Sequence, residues 1–117
     1  MTQPAQSTFE QLSGCRVTGM TFGRGYVRVE FDFLILTCHA WPRVVTQGAT
    51  LGFGMPGYRD ALCGQIEKIV RGIALEQGIV FRMLFTDESV FEVSLRPGDV
   101  RGPQALVLTN LSGGPAV

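Results

Sequence analysis

Alternation of apolar side chains with mostly polar ones is the feature that most constrains how this chain can fold. It recurs in Tyr26–Phe31, Val80–Phe85 and Val90–Leu95. In the first segment, Val27 and Val29 fall on one face with Phe31, and the polar side chains between them fall on the other. Successive side chains of a strand point to opposite faces of a sheet. The alternation therefore predicts half-buried antiparallel strands.

Two short helices are expected in front of these strands. Ser7-Thr8-Phe9-Glu10 has the form of a capping box, which predicts a helix of about two turns that ends at Gly14. Tyr58–Cys63 predicts a second short helix, closed by Gly64. Polar turns are predicted at 86–89 and 96–99. Further strands are predicted at 34–40, 44–46, 50–53 and 105–110.

The sequence pattern of the first half begins again after the middle of the chain, which indicates an internal duplication. Leu12-x-Gly14 before strands is matched by Leu62-x-Gly64 fifty residues later. The pattern Val17-x-x-Met20 is matched by Ile66-x-x-Ile69, at an offset one residue shorter than fifty. The predicted fold class is α+β, mostly β: two helix-strand-strand-strand units (7–43 and 57–96) in one antiparallel sandwich or barrel-like domain spanning 1–117, with loose ends at 1–6 and 111–117. Chance patterning is the alternative to a repeat.

Composition limits the classes of partner. Charged residues make up 17% of the chain, against about 25% in a typical soluble protein. This small charged surface predicts a dimer or larger homo-oligomer, with a monomer of apolar surface as the alternative. Ten basic and ten acidic residues cancel, and the arginines are scattered. No nucleic-acid partner is expected, because binding by counterion release needs clustered positive charge.

Location and cofactors are predicted from what the chain lacks. No signal-peptide pattern opens it, and no apolar stretch nears the roughly 20 residues that span a bilayer, so a cytoplasmic protein without membrane contact is expected. Cys15, Cys38 and Cys63 form no C-x-x-C pair and are predicted to be reduced, small core residues. His39 is the only histidine. No metal site and no cofactor are therefore predicted.

Gly52-x-Gly54-x-x-Gly57 spells the dinucleotide-binding fingerprint, and Glu76 lies near the distance expected of its acidic residue. That fingerprint needs repeated βαβ units, which this chain does not show. The motif is therefore interpreted as a glycine-rich loop between the two units.

Other pairs suggest catalysis only superficially. Neighbouring side chains on a strand point to opposite faces, so Cys38 and His39 are not expected to form a thiol–imidazole dyad. Glu30 and Asp32 lie opposite the apolar stripe, and Asp87-Glu88 falls in a polar turn. These carboxylates are predicted to be solvated, with nothing to shift their pKa values. No catalytic residue is assigned.

The candidate binding residues are His39, Trp41 and Arg43. If the strand continues through them, all three share one face, and they join an imidazole, the only indole and a guanidinium. Tryptophan and arginine dominate binding hot spots. Pro42 is expected to distort this alternation, and a tryptophan that closes one end of a core is the alternative.

Framework positions resemble those of a loose set of small β-rich bacterial domains of unknown function, some carried on mobile integron gene cassettes. The residues that carry the resemblance are Leu12-x-Gly14-x-x-Val17-x-x-Met20, Phe31-Asp32 and Trp41-Pro42-Arg43. It spans about residues 9–95. The chain departs from the pattern at Phe33, where a turn glycine is expected, and at Pro42, between the tryptophan and the arginine. The resemblance implies no catalytic residue.

Two functions remain open from the sequence. The preferred one is a non-enzymatic binding or protein-interaction module from an accessory bacterial gene, such as an immunity-like partner of another protein. The alternative is a small-molecule-binding protein or enzyme whose pocket is lined by His39, Trp41 and Arg43.

Overall fold

The computed structural model of the chain describes residues 6–110. Nine strands and two short α-helices make up most of this part. The helices are α1 (Gln6–Phe9), followed by a 3-10 turn (Glu10–Leu12), and α2 (Tyr58–Cys63); a second 3-10 turn spans Pro97–Asp99. The strands are β1 (Val17–Gly23), β2 (Tyr26–Phe31), β3 (Leu34–Cys38), β4 (Arg43–Thr46), β5 (Ala49–Leu51), β6 (Val70–Glu76), β7 (Val80–Phe85), β8 (Val90–Ser94) and β9 (Leu106–Asn110).

The strands form two antiparallel sheets. One sheet has the order β1-β2-β3-β9 and the other the order β5-β4-β8-β7-β6. Neither sheet closes on itself. The predicted mostly β character is confirmed, and the strand predicted at 105–110 is present as β9, at an edge of its sheet.

Backbone hydrogen bonds join the two sheets where β1 and β6 begin. The amide of Val17 donates to the carbonyl of Lys68 at 2.9 Å, and the amide of Glu67 donates to the carbonyl of Val17 at 2.7 Å. Arg16 and Ile69 form an antiparallel bridge, flanked by the Val17–Lys68 bond and by a bond of 2.9 Å from the Val70 amide to the Cys15 carbonyl. The ends of both strands are therefore fixed to each other.

The alternating segments contribute one shared core. Val27, Val29 and Phe31 of β2 are buried, as the alternation predicts. Phe81 and Phe91 of the other sheet are fully buried in the same apolar cluster, which includes side chains from both sheets and both helices. Burial of this apolar surface is the main stabilising contribution to the fold.

The predicted helices exist, with a shifted start in one case. Helix α1 begins at Gln6, so Ser7 lies inside it rather than at its N-cap, and Gln6 is not part of a loose lead-in. Gly14 has a φ of +86°, the left-handed conformation expected after a helix end. Helix α2 has the predicted bounds. The remaining predicted loose ends, 1–5 and 111–117, lie outside the described residues.

Three sequence expectations are wrong in detail. Strand β3 ends at Cys38, two residues before the predicted end. Ile66 and Ile69 precede β6, so they do not match Val17 and Met20 of β1. Of the three cysteines, Cys38 is buried as expected, but Cys63 is exposed and Cys15 is only partly buried. Among residues 6–110, no helix is long and apolar enough to cross a membrane.

Candidate functional site

The three predicted binding residues do not share one strand face. Strand β3 ends at Cys38 in the four-stranded sheet, and β4 begins at Arg43 in the five-stranded sheet. The intervening segment crosses from one sheet to the other around the buried Pro42, whose carbonyl accepts a hydrogen bond from the Tyr58 hydroxyl. The strand does not continue through these residues, and the distortion expected at Pro42 takes the form of a change of sheet that interrupts the alternation of side chains.

Two of the three residues nevertheless line the same open cleft. The cleft has a volume of about 870 Å³, and Trp41 and Arg43 contribute to its wall. Arg82 of β7 and Ser94 of β8 line it from neighbouring strands, on the side of the sheet away from the buried residues Phe81 and Phe91. The outer face of the five-stranded sheet is therefore the floor of the cleft.

A row of charges crosses this floor. Arg43 is paired with Glu92 in the register of β4 and β8, and Arg82 is paired with Glu92 in the register of β7 and β8. The Arg43 Nη2 lies 2.8 Å from one carboxylate oxygen of Glu92, and the Arg82 Nε lies 2.8 Å from the other. The hydrogen bond to Glu92 is the main reason that the pKa of Arg82 is raised. Glu76 also approaches Arg82, at 3.5 Å.

Two further arginines reach the cleft from the loop after β8. Arg96 and Arg101 both line it, and both are exposed. Neither guanidinium group forms an ion pair or a hydrogen bond with any residue between 6 and 110, although the Arg96 backbone amide donates to the Ser94 hydroxyl at 3.3 Å. Asp99 on the same loop accepts a hydrogen bond of 2.6 Å from the Ser94 hydroxyl. The loop therefore presents two guanidinium groups with free donors.

An aromatic pair forms another part of the wall. The rings of Trp41 and Phe53 are stacked, with centroids 4.2 Å apart and an angle of 17° between planes. Tyr58 meets the Phe53 ring edge-on at 6.1 Å. Phe53 is 60% exposed. The Trp41 Nε1 is buried and, among the described residues, is the one buried side-chain nitrogen or oxygen without a hydrogen-bond partner.

His39 does not line this cleft. Its ring lies 6.3 Å from the Tyr26 ring, and a methyl group added at Gly102 would lie 3.3 Å from it. The His39 backbone, however, holds the loop that carries Arg101: its amide donates to Ala105 at 2.8 Å, and its carbonyl accepts from the Arg101 amide at 2.7 Å. His39 therefore positions the cleft loop through its backbone.

A serine, a lysine and a carboxylate meet at the β7–β8 turn, away from the cleft. The Lys68 ammonium lies 3.0 Å from the Ser89 hydroxyl and 2.8 Å from Asp87, and the same hydroxyl donates to Asp87 at 2.6 Å. The lysine donates to the serine hydroxyl, and that hydroxyl donates to Asp87, so the lysine is not placed to accept the serine proton. Ser89 is also buried, which keeps it from a substrate. The cluster is structural.

The charge cluster corrects one expectation about Asp87. Hydrogen bonds from Lys68 and then Ser89 lower the pKa of Asp87 to about 2. The turn carboxylate was expected to be solvated and unshifted, but Lys68, from a segment distant in sequence, and Ser89, two residues further on in the same turn, both bond to it.

The glycine motif does not form a dinucleotide site. Gly57 precedes α2 in a left-handed conformation, but α2 has only six residues. The strand before the motif, β5, lies at the edge of an antiparallel sheet. The parallel βαβ unit that holds a pyrophosphate is not present at this position.

Several cleft residues could not be identified from sequence patterns. Arg82 and Glu92 stood out only as polar positions within alternating strands, and Arg96 and Arg101 only as loop cations. Phe53 carried one signal, an aromatic side chain within a glycine-rich loop. Among residues 6–110, no three His, Cys, Asp or Glu side chains are grouped to hold a metal ion.

Comparisons of the chain with protein-family models, with curated proteins and with solved structures gave no significant match.

Proposed function

We propose that this chain is a non-enzymatic binding module that recognises another protein through the cleft on its five-stranded sheet. The observation that carries this proposal is the joint presence of Trp41, Phe53 and four arginines around one open cleft. Tryptophan and arginine supply most of the energy at protein interfaces, because they bury large areas and offer rigid donors.

The exposed apolar residues favour a protein partner. Phe53 and Ile79 are two of the four large hydrophobic residues that stand exposed in 6–110, and both line the cleft; a third, Met55, belongs to the same loop as Phe53. Aromatic residues, methionine and arginine are the residue types enriched at interfaces, whereas lysine and glutamate are depleted.

The cleft is suited to binding rather than to proton transfer. Its cations are all arginine, which stays protonated at any physiological pH. Asp99 is held by Ser94, and Glu92 is shared by Arg43 and Arg82. The alternative, a small-molecule site or enzyme, was expected to use His39 with Trp41 and Arg43, and His39 does not line the cleft.

An internal duplication of the fold belongs to the same proposal. Both β1–β2 and β6–β7 are antiparallel hairpins with a register shift near their start, at Val17/Gly19 and Val70/Gly72. Each is preceded by a short helix. We propose that Val70, rather than Ile66, is the counterpart of Val17, and that the two units pack face to face as a sandwich.

Assembly and origin are further parts of the proposal. The low charged fraction of 17% supports a homo-oligomer. Light scattering on the eluting protein is expected to give a molar mass above the 12.7 kDa of one chain; a value equal to one chain would contradict it. The framework resemblance supports an accessory bacterial gene of the integron-cassette kind, and we propose a cytoplasmic location for its product.

The interaction is tested by capture of partners from a lysate of the source organism, with the wild-type chain and two charge-reversed variants compared. Arg101→Glu changes the cleft, and Arg24→Glu makes the same change in the exposed β1–β2 turn outside it. A protein retained by the wild type and by Arg24→Glu, and lost from Arg101→Glu, is the expected result. Equal retention by all three, or retention of no protein, contradicts the proposal.

A further inference from the structure

We propose that the partner presents an acidic segment with an aromatic side chain: its carboxylates bind Arg96 and Arg101, and its ring packs on the Trp41–Phe53 pair. This inference rests on the proposed function and adds the chemistry of the partner to it.

The charges around the cleft determine where an anion binds. Four arginines line it, and the carboxylates among them or paired with them are Asp99, Glu92 and Glu76, so the local net charge is four minus three, or +1. Glu92 occupies Arg43 and Arg82. The unneutralised positive charge therefore lies at Arg96 and Arg101, whose planar donors suit the two oxygens of a carboxylate.

The distribution of charges around the cleft favours separate carboxylates over a polyphosphate as the bound anion. A phosphate chain carries several charges close together, and the Asp99 carboxylate on the same loop would repel it. Single carboxylates spaced along a peptide can reach the two free guanidinium groups separately and leave Asp99 with its Ser94 hydrogen bond.

The aromatic half of the proposal comes from the Trp41–Phe53 pair. Phe53 is 60% exposed and already stacks on Trp41 at 4.2 Å, so a flat apolar surface faces the cleft. A partner ring on this surface adds offset-stacking energy to area burial.

The test is selection of binders to the wild-type chain from a random peptide display library, followed by titration of synthetic versions. Trp41 is the only tryptophan of the chain, so its fluorescence reports on the cleft directly when the peptides lack tryptophan. We expect the selected peptides to combine two or more Asp or Glu residues with Phe or Tyr, and to change the Trp41 emission. Enrichment of no peptide, or of peptides without acidic residues, overturns the inference.

Charge-reversed variants then separate this inference from the proposed function. The affinity of a selected peptide should fall at least tenfold in Arg96→Glu/Arg101→Glu and stay unchanged in Arg24→Glu. Inorganic phosphate and ATP are titrated in parallel, and tighter binding of ATP than of the peptide overturns the proposal of an acidic segment. If uncharged peptides bind at the cleft, the proposed interaction function is supported and the proposal of an acidic partner is contradicted. If peptides bind the double variant as tightly as the wild type, both proposals are contradicted.

Discussion

At the scale of single residues, Glu92 determines which cleft arginines are free. Its side chain is 13% exposed and lies between Arg43 and Arg82, each at 2.8 Å. Without this carboxylate, the guanidinium groups of β4 and β7, the two strands that flank β8, would face each other across the β8 position. Glu92 therefore links three strands of the sheet and also neutralises positive charge in the cleft. The guanidinium groups of Arg96 and Arg101 remain available to a partner.

The first prediction concerns this shared carboxylate. Glu92→Gln keeps the size of the side chain and removes its charge, so the free energy of unfolding should fall by about 1 kcal/mol, since both ion pairs are partly exposed. Urea titration at low and high salt measures it, and the difference from wild type should shrink at high salt. Glu10→Gln, on an exposed turn, is the control and should change nothing. An equal loss in both variants would contradict the account.

The second prediction uses the lowered pKa of Asp87. Because the folded-state pKa is about 2 and the ordinary value is 3.8, Asp87 stabilises the fold above about pH 4 and loses this effect as the pH falls towards 2. Asp87→Asn should therefore lower stability at pH 7 by no more than about 1 kcal/mol, since the group is half exposed. At pH 2, where about half of the folded-state carboxyl is protonated, most of the deficit should be lost. Glu88→Gln is the matched control, and a deficit as large at pH 2 as at pH 7 would refute the assignment.

At the scale of elements, sequence patterns predicted the strands better than the connections. Alternation identified β2, β7 and β8 because a half-buried strand imposes a period of two on its own residues. The end of β3 at Cys38 and the crossover to Arg43 could not be read in the same way. At this crossover the Tyr58 hydroxyl donates to the carbonyl of Pro42, and a contact between residues so far apart in sequence leaves no local pattern.

The third prediction concerns the turn between β1 and β2. Gly23 and Tyr26 are paired, so Arg24 and Gly25 form the turn, and Gly25 has a φ of +82°. Gly25→Ala should cost about 1–2 kcal/mol, because a Cβ is strained in the left-handed region. Gly98→Ala is the control, with an ordinary φ and open space around it. Thermal unfolding compares them, and equal melting temperatures for the two variants would argue against the assigned turn.

At the scale of the whole molecule, both sheets contribute to one apolar cluster, and the cleft lies outside it. This core could be predicted from the sequence, because the alternating apolar residues within each strand show which of its side chains are buried. The cleft could not be predicted, since its lining comes from separate segments at 41–53, 79–82 and 94–101. Only the pairing of β4, β8 and β7 brings their charged residues together, and no local pattern encodes that order.

The fourth prediction tests whether the core is shared. Phe81 is fully buried, and its ring lies 5.3 Å from that of Phe9 in α1. Phe81→Ala should lower the free energy of unfolding by about 3–5 kcal/mol, while Phe33→Ala, at a side chain 78% exposed, should leave it unchanged. Trp41 fluorescence and circular dichroism should report one coincident transition. Two separate transitions would mean that the sheets do not share a core.

The central claim, that the cleft is the recognition surface, is tested most directly by the NMR signal of the Trp41 indole N–H. With one tryptophan in the chain, the proton–nitrogen correlation spectrum has a single indole resonance. On titration with a selected acidic peptide, this resonance should shift together with the backbone signals of Arg96 and Arg101, while that of Arg24 stays in place. Saturation of binding with the indole and both loop signals unmoved would contradict the account.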